Sequence, residues 1–118
     1  MEKEQPHIKL LCVYQGEDLL LLQTHPSSSA LQPDLTRESQ SALLQSRRLQ
    51  LLPLETQRIN SLSGQWNVLR GSEEDLYFLV LASSPFPERQ SYLVLQEMHS
   101  RRHSLLHTDL SHLIQSYS

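Results

Sequence analysis

Apolar residues along this chain come in short blocks divided by polar and proline-containing breaks. His7–Tyr14 is rich in strand formers and ends at the turn signal Gln15-Gly16-Glu17-Asp18. The run Leu19–Gln23 follows at once, so the two blocks predict a β-hairpin with a four-residue turn. Leu19–Leu22 lacks polar alternation, which predicts a strand covered on both faces. The breakers His25 to Ser29 and Gln32-Pro33 then predict a loop.

A helix is expected next, capped by Asp34 or Thr36. Its apolar stripe holds Leu35, Ala42 and Leu49 at a spacing of seven, with Leu44 and Leu51 beside them. Pro53 should end it, since the residue before a proline is pushed out of the helical region. Arg58–Leu62 predicts a weak strand and Trp66–Arg70 another. After the polar turn at 71–75, Leu76–Ala82 gives the strongest strand signal in the chain, and 66–70 with 76–82 forms a second hairpin. Because Leu76–Ala82 holds no polar side chain except its tyrosine hydroxyl, it belongs at the sheet centre with cover front and back.

Ser83-Ser84-Pro85-Phe86-Pro87 reads as a helix start, with serine as cap, proline in the first turn and Glu88 near the positive helix end. That helix runs to about Arg102 and buries Tyr92, Leu95, Met98 and either Leu93 or Val94. A last helix, Thr108–Tyr117, opens on Thr108 or Asp109 and carries Leu110, Leu113, Ile114 and Tyr117 at helical spacing. The expected architecture is α/β (α+β): a five-stranded, mainly antiparallel sheet in the order β-β-α-β-β-β-α-α. One helix lies on one face and two lie on the other, in a single domain spanning 1–118.

Composition narrows the function classes. The 118 residues carry a formal charge of −3, without the basic excess a phosphate-binding surface needs. Cys12 is the only cysteine, so no internal disulfide can form and a reducing, cytoplasmic compartment is expected. The N-terminal residues are polar, no apolar block approaches the roughly 20 residues of a membrane span, and lipidation patterns are missing.

The chemistry-bearing residues mostly have plain structural readings. His99, His103 and His107 fall at i, i+4 and i+8 and could line one helix face, as a zinc site requires. No cysteine or carboxylate completes the set, and Arg101-Arg102 would repel a dication, so a solvated helix end is expected and no metal or other cofactor. Cys12 with a histidine could form a nucleophile–base pair, yet a lone cysteine in an apolar strand is ordinarily a small core residue. Gly16, Gly64 and Gly71 stand apart and make no phosphate cradle. Arg47-Arg48 and Arg101-Arg102 are short basic pairs, read as solvated faces that could touch acidic lipid or a partner. No catalytic residue is assigned.

The more informative excess is apolar. Leu43, Leu44, Leu51, Leu52 and Leu54 give the first helix and its exit more leucine than one buried stripe requires. They could widen the core. Alternatively, with Ile59 and Leu62 of the third strand, they line a partner-binding groove that joins edge-strand hydrogen bonding to apolar pockets.

The element order and lengths resemble the longin domain, the regulatory N-terminal module of certain vesicle SNAREs. The similarity is most specific in Leu76–Arg102: a Tyr-Phe-Leu-Val-Leu strand, then Phe86-Pro87, Arg89, Tyr92, Leu95, Met98 and His99-Ser100. Asp109 with Leu113-Ile114-Gln115 is similar to the last longin helix, whereas the first helix and Ser27–Pro33 are generic. The His103–His107 connection is shorter than in the SNAREs serving ER–Golgi transport. The resemblance implies a non-catalytic domain at the cytosolic face of endomembranes, bound to a SNARE segment or to a coat or tether subunit. Longin SNAREs continue into heptad repeats, which the given residues do not include. Small subunits of adaptor, tethering or GTPase-regulating complexes share the architecture without that segment, and would dimerise through a sheet edge or a helix.

Overall fold

A computed structural model describes residues 7–73, 75–83, 86–104 and 110–117. The elements run β1 (Ile8–Gln15), β2 (Asp18–Thr24), a short 3-10 helix (Pro26–Leu31), α1 (Gln32–Arg48), β3 (Thr56–Ser61), β4 (Gly64–Arg70), β5 (Leu76–Ala82), α2 (Glu88–Ser100) and α3 (Leu110–Tyr117). The five strands form one antiparallel sheet in the spatial order β2-β1-β5-β4-β3. β5 is therefore central, paired with β1 on one side and β4 on the other.

Alternation along β5 divides the core in two. Phe78, Val80 and Ala82 join Leu11, Leu69, Val94, Leu95 and Met98 with Leu110, Leu113 and Ile114, so α2 and α3 share one sheet face. Tyr77, Leu79 and Leu81 join Leu10, Cys12, Tyr14, Trp66 and Val68 with Leu35, Ala42 and Leu43, which sets α1 on the other. Burial of both faces explains the uninterrupted apolar composition of this strand.

The other leucine-rich run behaves differently. Leu19–Leu22 lies in β2, the outermost strand, where Leu19 and Leu20 are exposed and Leu21 and Leu22 half-buried; the expectation of cover on both faces is corrected. Its position decides this, for an edge strand lies at the margin of both helix layers. Of its leucines, only Leu21 packs against the α2/α3 cluster and only Leu22 against the α1 cluster. The β1–β2 ladder also shifts register opposite Leu20, between Val13↔Leu21 and Tyr14↔Leu19. Such a bulge bends the strand and increases its local twist. The connecting turn holds two residues, Gly16 and Glu17, instead of four, because Gly16 adopts a left-handed φ of 61°.

Residues 25–33 are not a loop. The His25 ring accepts from the Ser27 N–H at 3.1 Å and Pro26 starts a 3-10 turn that runs directly into α1. With that turn in front, neither Asp34 nor Thr36 caps α1: Asp34 pairs with Arg37, and the Thr36 hydroxyl donates to the Gln32 carbonyl. α1 buries Leu35, Ser39, Ala42, Leu43 and Ser46, while Leu44 and Leu49 point outward. The small Ser39 and Ala42 let the helix approach the sheet, and Ser39 meets the Tyr14 hydroxyl at 2.6 Å. The helix stops at Arg48, ahead of Pro53, since Gln50 takes a left-handed φ of 53°.

β3 begins two residues earlier than expected and releases Leu62 into the β3–β4 turn. α2 starts at Glu88 behind Pro87, and Ser83 does not cap it; its hydroxyl instead accepts from the His7 N–H at 2.8 Å. Val94, Leu95 and Met98 form the buried face, whereas Tyr92 is half-buried and Leu93 exposed. Ser84, Pro85, Thr108 and Asp109, assigned above as helix-start residues, lie outside the described residues, as does His107. No helix among the described residues is long and apolar enough to cross a membrane.

Candidate protein-binding site

The open side of β3 and the neighbouring flank of α1 enclose a shallow groove. β3 pairs only with β4 among the described strands, so alternate N–H and C=O groups face away from the sheet. Ile59 pairs across to Trp66, and both lie on the α1 side, where they form the groove floor with Ala42. Glu38 and Gln45 of α1 rise along one wall, and the cavity between them holds about 130 Å³. That is a few waters' worth at about 30 Å³ each.

Glu38 fixes this wall in place. Its carboxylate accepts from the Trp66 indole N–H at 3.4 Å and, through the other oxygen, from the Ser63 hydroxyl. A buried tryptophan needs a partner for its N–H, and this pairing holds α1 against the β3–β4 turn. Past that turn the groove opens into a wider depression of about 600 Å³, which shares Asn60 and Ser61 with the narrow part and adds Lys9, Gln65 and Ser83.

The seven residues assigned from sequence do not converge here. Ile59 lines the narrow α1–β3 groove, and Leu62 lines the wide depression into which it opens. Leu43 is 2% exposed and belongs to the core, and Leu51, at 6%, is buried behind the helix exit. Leu44 sits on another flank of α1, where it lines a separate depression of about 280 Å³ with Glu17, Gln40 and the edge of Leu43. Leu52 and Leu54 project from the α1–β3 connection, and Leu62 stands fully exposed at the tip of the β3–β4 turn. The continuous leucine-lined channel is thus corrected to a mixed groove whose floor is Trp66 and Ile59. Leu43 and Leu44 both border that other depression, and neither lines the α1–β3 groove. Glu38, Trp66 and Lys9 were missed; the one usable signal was a lone tryptophan on a strand, whose N–H must find an acceptor.

The α1–β3 connection is held in an unusual shape. Leu54 adopts φ 69°, a left-handed conformation rare for leucine, and its N–H donates to the Arg70 carbonyl at 2.8 Å. The Arg70 guanidinium in turn donates to the Leu51 carbonyl.

Cys12 is fully buried on the α1 face, and burial pushes its thiol far above the ordinary value, only partly offset by the nearby Ser39 hydroxyl. A thiol so placed is a poor nucleophile. The native protein is expected to resist iodoacetamide at pH 8 and to label only in denaturant. Stoichiometric native labelling within minutes, read by mass spectrometry, would contradict this burial.

The histidines separate. The Nε2 atom of His99 accepts from the Ser72 N–H at 3.3 Å, and the ring packs edge-on to Phe78 with centroids 5.7 Å apart. His103 lies beyond the helix, 3.3 Å from Glu73. No cluster of three metal-binding side chains occurs among the described residues. Three of the four arginines in the basic pairs lie near carboxylates: Arg47 at 3.9 Å from Glu17, Arg101 at 2.6 Å from Glu97 and Arg102 at 2.9 Å from Glu73.

Burial first, then the Arg102 guanidinium, lowers the His99 pKa from its ordinary 6.5, against an opposing pull from Glu73. On acidification the unfolded chain protonates this ring before the folded one does. The ring's contribution is therefore intact above about pH 6.5 and is lost as pH falls below that value. The urea midpoint should drop between pH 7 and pH 5.5, with a shallower drop in His99→Gln. Identical profiles for the two proteins would remove His99 as the cause.

No protein-family model matches the sequence, and no curated protein matches it.

Proposed function

We propose that this chain is a longin-like, non-catalytic protein-interaction domain of vesicle traffic, acting at the cytosolic face of endomembranes. The observation that carries the reading is the α1–β3 groove: an unpaired strand edge beside a helix, floored by Trp66 and Ile59. An extended segment can add to that edge through backbone hydrogen bonds and place alternate side chains on the floor. The element order and the strand order β2-β1-β5-β4-β3 support the longin comparison. The occupant is a SNARE segment, in cis or from another protein, or an extended segment of a coat or tether subunit. Its binding shifts the population between closed and fusion-competent states. Titrating the labelled domain with SNARE segments should move the amide signals of Glu38, Gln45, Ile59 and Trp66. If every responding residue lies outside 35–66, the groove is not the site.

A second reading rests on β2, whose edge exposes Leu19 and Leu20. There the chain is a small subunit of an adaptor, tethering or GTPase-regulating complex, dimerising along that edge. Sedimentation equilibrium separates the two, since a dimer dissolved by Leu20→Lys favours the second and a monomer throughout rejects it.

A further inference from the structure

The wide end of the groove has a polarity of its own. Lys9 reaches across the end of β5 to the β3–β4 turn, where its ammonium donates to the Ser63 carbonyl at 2.6 Å. An ammonium has three protons to donate, and no ion pair of the described residues includes Lys9.

The neighbouring hydroxyls divide by role. Ser61 spends its proton on the Gly64 carbonyl and Ser63 on Glu38. The Ser83 hydroxyl accepts from the His7 N–H, which leaves its own proton to point elsewhere. Asn60 and Gln65 add side-chain amides to the lining. The remaining capacity, an ammonium, a hydroxyl and two amides, is mainly donating, and among the described residues no carboxylate lines this depression. Along the same groove, the only carboxylate on the wall among the described residues is Glu38, and it already has two donors.

We infer that the depression around Lys9 is an anion subsite that takes an acidic side chain of the extended peptide bound along β3, and so fixes the peptide's register. This rests on the groove reading above and adds the chemistry of its occupant. The register matters because a slip of one residue along an edge strand turns every side chain to the opposite face. A single charged contact at one end, with Trp66 and Ile59 as apolar contacts farther along, selects one alignment.

The test uses the whole chain with acetylated, amidated nonapeptides of alternating valine and threonine. One glutamate is moved through the central positions, and a matched set carries glutamine instead. At one position glutamate should bind about tenfold tighter than glutamine, the worth of one charge-assisted hydrogen bond. The preference should vanish in Lys9→Met and persist in Lys9→Arg. Equal affinity for both sets, with β3 amides still responding, overturns the subsite and leaves the groove standing. A glutamate preference that survives Lys9→Met overturns it too. If no peptide binds, both readings fall. Should Lys9→Met not fold, the Lys9 ammonium signals of the unmodified chain must shift with the glutamate set and stay still with glutamine; equal movement overturns the assignment.

Discussion

Replacing Phe78 by alanine is expected to cost about 3–5 kcal/mol of stability, the range for removing a fully buried phenylalanine. Phe78 is completely buried at the middle of β5, inside the cluster formed by α2 and α3, with the His99 ring edge-on to it. Collapse of the cavity is hindered on every side, since Val80 and Leu69 are held by the sheet and Val94, Leu95 and Met98 by α2. A small domain has about 5–15 kcal/mol in total, so this one change removes a large share. The urea midpoint should fall steeply while the dependence on denaturant keeps its slope. A loss below about 1.5 kcal/mol, the cost of a tolerated hydrophobic swap, would mean that this face of β5 is not covered as described. Leu79→Ala, on the α1 face, should cost about 2–5 kcal/mol and supplies an independent measure of the second cluster.

Gly64→Ala should be nearly as damaging, at about 2–4 kcal/mol. Gly64 opens β4 at φ 142°, and a Cβ there would stand 2.2 Å from the Ala82 carbonyl oxygen. That contact is with backbone, which no rotamer change can relieve. To accommodate the methyl group, the end of β4 must move off the end of β5, and the β3–β4 turn carrying Ser63 must follow. Gly16 is the control: its φ is 61° but nothing lies within 4 Å of the missing Cβ. Gly16→Ala should cost about 1 kcal/mol, the backbone penalty alone. If the two substitutions prove equally mild in urea melts, the close approach at Ala82 is not what requires glycine at 64.

How much of this could be read from sequence depended on whether the deciding contacts were local. Leu76–Ala82 was legible with its bounds, because seven residues without a break in apolar character, set between turn signals, suit a strand buried on both faces. Leu19–Leu22 carries nearly the same signal and yet is half wet. Nothing local distinguishes the two runs; their places in the sheet follow from which strands β1 accepts as neighbours. The start of α1 was obscured because serines and prolines suit a loop and a 3-10 turn equally. The candidate site was legible only through Ile59, Leu62 and the general region of α1 and β3. Its working parts lie far apart in sequence: Lys9 meets Ser63, and Glu38 meets both Ser63 and Trp66. A search for leucine excess could not find a contact between a lysine and a turn carbonyl.

The pairing of β1 with β5 has a consequence for biogenesis. During synthesis β1, β2 and α1 emerge well before β5, the strand that completes the inner edge of β1. Until it arrives, the Ile8–Tyr14 stretch has an unfilled ladder and little cover on the side later taken by α2 and α3. A nascent chain halted near Gly71 should therefore be held by chaperones rather than fold, and release should come only once the second half has cleared the ribosome.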